Sequence, residues 1–409
     1  MFIYFYKKMI FNSKLFKNRN VSFSKKRDII YSKEIFNPII KKHFSGNSPP
    51  EVFVGRYNYP NVNAGILSPE SFGDTEEMSM PEIWYEKNFS IGDILAKRNQ
   101  LIYGRFKTQV KKAKTNTRFL NLMQEISMAY KPVSTEFFLK KPPKRILEIN
   151  RYSPIITNLA PLENARLQEN PKVKPKVDYL VSDIHNKAAD SIKELYHYNI
   201  PISNITKILS AGLLGLKTQR KLVPTRWSIT AVDDTISRQL LKKIRYYNEI
   251  GEILLFNSEY NGNHYEILLL PDKFSFEVIE AEVRLKSVRF WHDYEFFHGR
   301  KEYAGNVVGA YYACKLALSE YLERIKRQAT AIFMREVRPE YFLPLGVGIL
   351  RECCRGAFAK TPEKFDSVKK ALEQAQKRMI VRIENFIDKS VMLKEYGKQT
   401  RLDKWLKNC

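Results

Sequence analysis

Alternating apolar and polar positions predict strands in the middle of the chain. Glu252 to Phe256, His264 to Leu270 and Phe274 to Val283 alternate with a period of two, and Asn/Gly and Pro/Asp turns separate them. This alternation is typical of half-buried strands, and short turns of this composition connect antiparallel neighbours. We therefore predict an antiparallel meander over this part of the chain.

Apolar residues at three- and four-residue steps predict helices on either side. The stripe from Tyr311 to Ile332 predicts one long amphipathic helix, and we interpret 221–234 as a loop or short strand that leads into a helix from Thr235 to Tyr247. The predicted fold class is α+β. We expect a central antiparallel or mixed sheet with surrounding helices, a helical C-terminal region and a flexible C-terminal peptide tail.

Changes in composition predict four regions along the 409 residues. Residues 1–46 form a basic extension, since residues 1–45 contain eleven Lys or Arg and only two carboxylates. Residues 47–285 are predicted to form an α+β domain, and residues 286–397 a mostly helical domain. Residues 398–409 form the tail, which follows Gly397.

The tail has the spacing Q-x-x-L-x-x-W-L at Gln399, Leu402, Trp405 and Leu406. On one helical turn the last three side chains share a face and form an apolar plug, as in peptides that dock into the hydrophobic pocket of a sliding clamp. The alternative is the frayed end of an amphipathic helix that packs on the body. Leu406 occupies a position where such peptides usually carry an aromatic residue, so lower affinity is expected.

Charge adds a second candidate partner. The chain has 69 Lys and Arg against 44 Asp and Glu, a formal charge of +25 and a pI near 9.6. Such a protein attracts polyanions by counterion release, and nucleic acid, first of all DNA, is the expected partner. The alternative is a basic, solvated surface in a Lys-rich chain, whose charge serves solubility.

Hydropathy and cysteine spacing exclude other classes. No stretch is apolar enough to span a membrane, and the first eleven residues lack a cleavage site for a signal peptide, so we expect a cytoplasmic, nucleoid-associated protein without a membrane partner. The four cysteines have no C-x-x-C spacing. We therefore predict no zinc site, no other metal and no cofactor.

Arginines in Gly- or Pro-containing loops are candidates for phosphate contacts, because a guanidinium fork can bind a phosphate with two hydrogen bonds. They are Arg56, Arg226 and Arg300. Salt bridges to the chain's own carboxylates are the alternative for each.

A second set of residues is a candidate polar site: Asp233, Asp234, His292, His298, Arg351 and Glu352. Asp233 and Asp234 could hold a divalent metal with Glu352, or one of them could cap the helix predicted to begin near Thr235. The two histidines are six positions apart, which does not fit two metal ligands on one helical face. Phosphate-binding glycine loops are absent from the sequence, so whether the chain is an enzyme stays open.

Several blocks resemble one family. They are Ser48–Arg56, Leu209–Leu216, Lys221–Ser237 (KLVPTRWSITAVDDTIS), Pro344–Gly346 and Arg351–Glu352. Together they are similar to the archaeal Nre family of DNA repair proteins, from about residue 47 to the C-terminus. The resemblance implies an Nre N-terminal-type domain over 47–285, an Nre C-terminal-type domain over 286–397, a terminal clamp-binding motif at Gln399–Leu406 and a role in the response to DNA damage.

One departure from the family concerns zinc. Many relatives begin with a cysteine-rich segment, whereas residues 1–46 here contain no cysteine.

The functional prediction is a DNA repair factor that its tail recruits to the sliding clamp PCNA and whose basic body contacts DNA. The alternative is an enzyme on nucleic acid or a nucleotide, a nuclease or an NAD-consuming transferase, that the same tail targets.

Overall fold

The computed structural model describes residues 41–114, 117–148, 153–284 and 287–397. They divide into two compact units. The N-terminal unit comprises residues up to Ile236 together with Leu343–Ile349, and the C-terminal unit comprises Ser237–Phe342 and the residues from Leu350 onward. The boundaries predicted from the sequence, at 46/47, 285/286 and 397/398, stay a prediction.

The N-terminal unit is built on a seven-stranded sheet with the order β1-β5-β7-β4-β3-β2, in which β6 also pairs with β7. The strands are β1 His43–Ser48, β2 Val52–Val54, β3 Asn61–Ser68, β4 Ile102–Gln109, β5 Val133–Leu139, β6 Lys144–Glu148 and β7 Ile156–Leu167. The helices are α1 Pro81–Glu86, α2 Ile91–Arg98, α3 Arg118–Met128, α4 Pro175–Ser182, α5 Ala188–His197, α6 Ile202–Ser210 and the start of α7 Thr225–Ile244, with 3-10 turns at Glu76–Met78 and Val110–Lys114.

The segment Leu343–Ile349 belongs to this N-terminal unit although it follows most of the C-terminal unit in sequence. Its Gly346 has a φ of 93°, and a Cβ there would lie 2.9 Å from the backbone carbon of Ser153. Only glycine combines this left-handed conformation with so close a backbone approach. Gly346 therefore fits the segment against the residues that lead into β7.

The C-terminal unit is built on a six-stranded sheet with the order β11-β10-β12-β9-β8-β13. The strands are β8 Ile253–Tyr260, β9 Asn263–Leu270, β10 Ser275–Val283, β11 Val288–Glu295, β12 Thr330–Val337 and β13 Glu363–Phe365. The helices are α8 Gly309–Ile325, α9 Gly348–Phe358, α10 Val368–Gln376, α11 Ile383–Lys389 and α12 Val391–Glu395. Apolar residues of this sheet and of α10 to α12 form one buried cluster.

The α+β class is confirmed, and the strands predicted from alternation are present. The continuous meander is wrong, because β12 lies between β9 and β10, antiparallel to the first and parallel to the second. β8 and β9 do form the predicted antiparallel pair. A period of two shows which face a strand buries but carries no information about its neighbours.

Two helix predictions are also wrong at their ends. The predicted helix over Tyr311 to Ile332 ends at Ile325, where Lys326 adopts a left-handed conformation with a φ of 53°, and the chain continues into β12. The helix α7 begins at Thr225, ten residues before the predicted start. The amides of Trp227 and Ser228 donate to the carbonyl of Pro224, at 2.8 and 3.0 Å, so the proline precedes the first turn of α7.

None of the described helices is both long and apolar enough to cross a bilayer. Gln399, Leu402, Trp405 and Leu406 lie outside the described residues, as does most of the basic extension. The prediction that the tail binds a clamp stays a prediction.

Candidate nucleic-acid interface

Two of the three candidate arginines lie close together in the N-terminal unit. Arg56 opens the turn between β2 and β3, and Arg226 lies in the first turn of α7. The amide of Val54 donates to the Thr225 hydroxyl at 2.9 Å, and that hydroxyl lies 3.1 Å from the Ser210 hydroxyl. These bonds hold the block Ser48–Arg56 against the start of the block Lys221–Ser237.

Exposed aromatic rings lie beside Arg56 and next to Arg226 in the sequence. Tyr57, Tyr59 and Trp227 are 66%, 45% and 43% exposed. The Tyr59 and Trp227 ring centroids are 5.3 Å apart with the planes inclined by 57°, and the Arg56 guanidinium lies 5.1 Å from the Tyr57 ring centroid. We call these three rings with Arg56 and Arg226 the aromatic patch. Clustered exposed rings are typical of binding surfaces.

A cleft of about 550 Å³ opens in the sheet of the same unit. β7 pairs in parallel with β4 as far as the partners Arg105 and Pro161, and from Leu162 onward it pairs with β5 instead. Proline has no amide hydrogen to donate, so it suits a place where a strand leaves its neighbour. The remaining residues of β4 then form one wall of the cleft.

Cations and two rings line this basic cleft. The lining cations are Arg105, Lys107, Lys112 and Lys140, and the rings are Phe106 and Phe119, with centroids 5.6 Å apart. No carboxylate belongs to the lining. Within the described part of the chain, Arg105, Lys107 and Lys140 form no ion pair. Arg105, Lys107 and Lys140 therefore present positive charge in the basic cleft that the described carboxylates do not neutralise.

The aromatic patch and the basic cleft are joined through Val110. Its amide donates to the carbonyl of Pro60 at 3.0 Å, and its carbonyl accepts from the amide of Leu222 at 2.9 Å. Pro60 follows the exposed Tyr59, and Leu222 belongs to the segment that leads to Trp227. Both parts of the patch are thus fixed at the end of β4, the strand that carries Lys107.

The third candidate arginine, Arg300, lies in the C-terminal unit and makes internal contacts. Its Nη1 donates to Asp293 Oδ1 at 2.8 Å, and it also contacts the carbonyls of Tyr294 and Glu302. Burial lowers the pKa of Arg300, but the hydrogen bond to Asp293 together with the charge of Asp293 and of the neighbouring tyrosines outweighs burial, so the pKa is raised. The other Asp293 oxygen accepts from the amides of Asn306 and Val307. These contacts order residues 296–307.

The two candidate histidines differ in their surroundings. His292 Nε2 lies 2.6 Å from Glu277 Oε1, and the fully buried Glu277 also accepts from the Ser390 hydroxyl and from the amide of Val391 at 2.7 Å. His292 therefore takes part in a buried network between the sheet and the start of α12. His298 is exposed, and its ring lies beside that of Phe297.

The candidate carboxylates lie on helices. Asp233 is fully buried and Asp234 half-buried, both inside α7, so neither can cap a helix that begins near Thr235. Arg351 Nε lies 3.3 Å from Glu352 Oε1, and Glu352 also pairs with Arg355 at 2.9 Å in α9. Across the described ranges, no group of three His, Cys, Asp or Glu is placed to hold a metal ion.

Sequence reasoning selected Arg56 and Arg226 but missed the rings beside them and the whole basic cleft. The rings left a local signal, because Tyr57 and Tyr59 follow Arg56 closely and Trp227 follows Arg226. An aromatic next to a loop arginine could have been noted as a stacking pair. The cleft left no such signal, since its cations come from separate strands.

Comparison with known proteins identifies the family. The family model described as Archaeal Nre, N-terminal, matches residues 26–288, and the one described as Archaeal Nre, C-terminal, matches residues 295–405. The DNA repair protein NreB of Archaeoglobus fulgidus is 36% identical over 89% of this chain and 92% of its own length. The DNA repair proteins NreA of the same organism and of Haloferax volcanii are 35% and 34% identical, over 81% and 76% of this chain and 84% and 77% of their own lengths. No solved structure matches the chain. The chain therefore belongs to the archaeal Nre family.

Proposed function

We propose that this chain is a DNA repair factor, that the sliding clamp PCNA recruits it through Gln399–Leu406, and that its N-terminal unit contacts DNA. The observation that carries the DNA contact is the basic cleft, whose lining has four cations and no carboxylate. Two relatives that are 36% and 35% identical to this chain over the matched residues are named DNA repair proteins, which supports the same role here.

Phosphate contacts suit the basic cleft and its surroundings. Lysines and arginines without carboxylate partners release counterions when they bind phosphates, which drives association with DNA. Arg56 is exposed, and a guanidinium can bind a phosphate with two hydrogen bonds. The formal charge of +25 attracts the whole chain to DNA before any specific contact forms.

Recruitment by the tail makes weak DNA contacts sufficient. Leu402, Trp405 and Leu406 would fill the apolar pocket of the clamp, while the Gln399 amide bonds at its rim. Once the tail is bound, DNA binding becomes intramolecular, with an effective concentration that the tether sets. Such recruitment would keep the protein at the nucleoid, where clamps encircle DNA.

A calorimetric titration of PCNA with the full chain tests recruitment. We expect the double substitution Leu402→Ala and Trp405→Ala to abolish binding, because both anchors of the plug are lost. Asp403→Ala, a polar position in the same tail, is the matched control and should bind nearly as the natural chain does. Unchanged affinity of the double variant, with an unchanged thermal unfolding profile, would refute recruitment by the tail.

A further inference from the structure

We propose that the aromatic patch and the basic cleft form one binding site for single-stranded nucleic acid. Unpaired bases stack on the rings of Tyr57, Tyr59 and Trp227, and the adjoining phosphates enter the basic cleft. This inference rests on the proposed nucleic-acid contact of the N-terminal unit and adds which form of nucleic acid that unit selects.

The rings favour unpaired bases. About half of each ring system in the patch is open to solvent, and Tyr59 and Trp227 are inclined to each other rather than stacked face to face. Bases in a double helix hide their faces in the stack, whereas a single strand exposes them and stacks on aromatic side chains without regard to sequence. Arg56, which already lies beside Tyr57, can add a planar cation to the same stack.

The size and position of the cleft favour a single strand. Its volume of about 550 Å³ is that of a small-molecule site, enough for a short stretch of one strand and too small for a double helix. The cleft lies between β4 and β7, which separate after Arg105 and Pro161, so the distance between these two β-strands limits its width. Phe106 and Phe119 at its wall offer a further apolar surface for a sugar or a base.

The patch and the cleft are close enough for one short strand to reach both. In the β3–β4 ladder, Lys107 faces Asn63 and Gln109 faces Asn61, a step of two residues or roughly 7 Å. Tyr59 lies two residues before Asn61, in the turn that Val110 fixes to the end of β4. A nucleic-acid strand that passes from Tyr59 to Lys107 therefore runs past the end of the ladder formed by Asn61 and Gln109.

Fluorescence anisotropy with the full chain tests the contribution of the rings. The probes are a labelled oligothymidylate, an oligouridylate of the same length and a DNA duplex of that length. We expect Tyr59→Ala with Trp227→Ala to weaken single-strand binding about five-fold or more for each ring. Tyr59→Phe with Trp227→Phe keeps the rings and should restore most of the affinity. Phe72→Ala removes another exposed ring of the same unit and is the matched control.

The salt dependence of binding tests the cleft. Each phosphate that a lysine neutralises contributes about 0.7 to the slope of log affinity against log salt for a single strand. Lys107→Gln with Lys140→Gln should therefore lower the slope by about 1.4. Lys172→Gln is the control, because Lys172 is exposed and lies away from the cleft. Its carbonyl accepts from the amide of Tyr130, which follows the C-terminal end of α3, whereas the cleft lies at the N-terminal end of that helix.

The outcomes separate this inference from the proposed function. The inference is supported if the chain binds single strands more tightly than duplex and loses this preference when the rings are removed. Whichever of the oligothymidylate and the oligouridylate binds more tightly shows whether the ligand is DNA or RNA. Equal binding of duplex and single strands with no effect of the ring substitutions would overturn the inference, while a lowered affinity of the lysine variant would still support DNA contact. No binding of any probe would refute both, leaving recruitment to the clamp titration.

Discussion

Glu51 is the residue whose substitution should destabilise the N-terminal unit most clearly. It is 5% exposed, and its carboxylate lies between two buried cations: Oε2 is 3.1 Å from Lys207 Nζ and Oε1 is 3.7 Å from Arg98 Nη1. Arg98 also donates to the carbonyls of Ile155 and Met78, at 2.9 and 3.0 Å. We predict that Glu51→Gln removes the carboxylate that pairs with Lys207, whose charge then keeps a Coulombic interaction with Glu76.

The magnitude follows from the partners that remain. Removing one member of a buried ion pair costs about 3–5 kcal/mol, chiefly because the other charge stays buried and unpaired. Arg98 keeps its two carbonyl acceptors, whereas Lys207 Nζ has no hydrogen-bond acceptor in the described part of the chain. The loss should therefore fall at the low end, about 3 kcal/mol, and concern Lys207.

Urea denaturation, with hydrogen exchange at the amides of β2 and α6, measures this effect within the N-terminal unit. The matched variant is Glu51→Gln with Lys207→Met, which removes the orphaned charge and keeps most of the volume. It should recover about 2 kcal/mol of the loss. A loss below about 1 kcal/mol for Glu51→Gln, or a double variant no more stable than the single one, would show that the carboxylate does not compensate Lys207.

Two further predictions concern stability. Burial lowers the pKa of His264, but the carboxylates of Glu259 and Glu266 outweigh burial, so the pKa is raised above 6.5. The folded state thus binds the proton more tightly than the unfolded chain, and this stabilisation is complete below pH 6.5 and disappears as the pH rises through the raised value. Urea titrations should show the advantage over His264→Gln shrinking with pH, and an advantage that grows would contradict the assignment. Gly65→Ala should lower the melting temperature, since its Cβ would lie 2.1 Å from the Gly104 carbonyl oxygen and push β3 from β4; calorimetry of Gly251→Ala, where no atom lies within 4 Å, is the control.

Local patterns predicted elements better than their arrangement. The strands β8, β9 and β10 are predictable although β9 is buried along its whole length and β8 and β10 over most of theirs, because Asn/Gly and Pro/Asp turns mark the ends of these short apolar segments. Ala329 and Ile332 continued the helical stripe of α8 by coincidence, since β12 is buried on both faces and its apolar run has no period of its own. The insertion of β12 beside β10 depends on contacts between segments far apart in sequence, which no local window contains.

The same distinction applies to the candidate interface. Arg56 and Arg226 could be selected because each stands in a local context typical of phosphate contacts. Lys107 and Lys140 could not, since one lies on β4 and the other follows β5, and only the departure of β7 at Pro161 places both at one cleft. A β-strand that changes its neighbour shows no periodic pattern in the sequence, and Pro161 is the one local sign of the change in β7.

The segment Leu343–Ile349 has a consequence for the order of synthesis. Domains usually fold one after another as the chain leaves the ribosome, beginning at the N-terminus. Here the N-terminal unit lacks one of its parts until Gly346 has been made, and by then all of Ser237–Phe342 has already been synthesised. The unit that is translated first therefore stays incomplete until most of the second unit has been made, and a fragment ending at Ile236 would leave the backbone at Ser153 without the segment that packs on it.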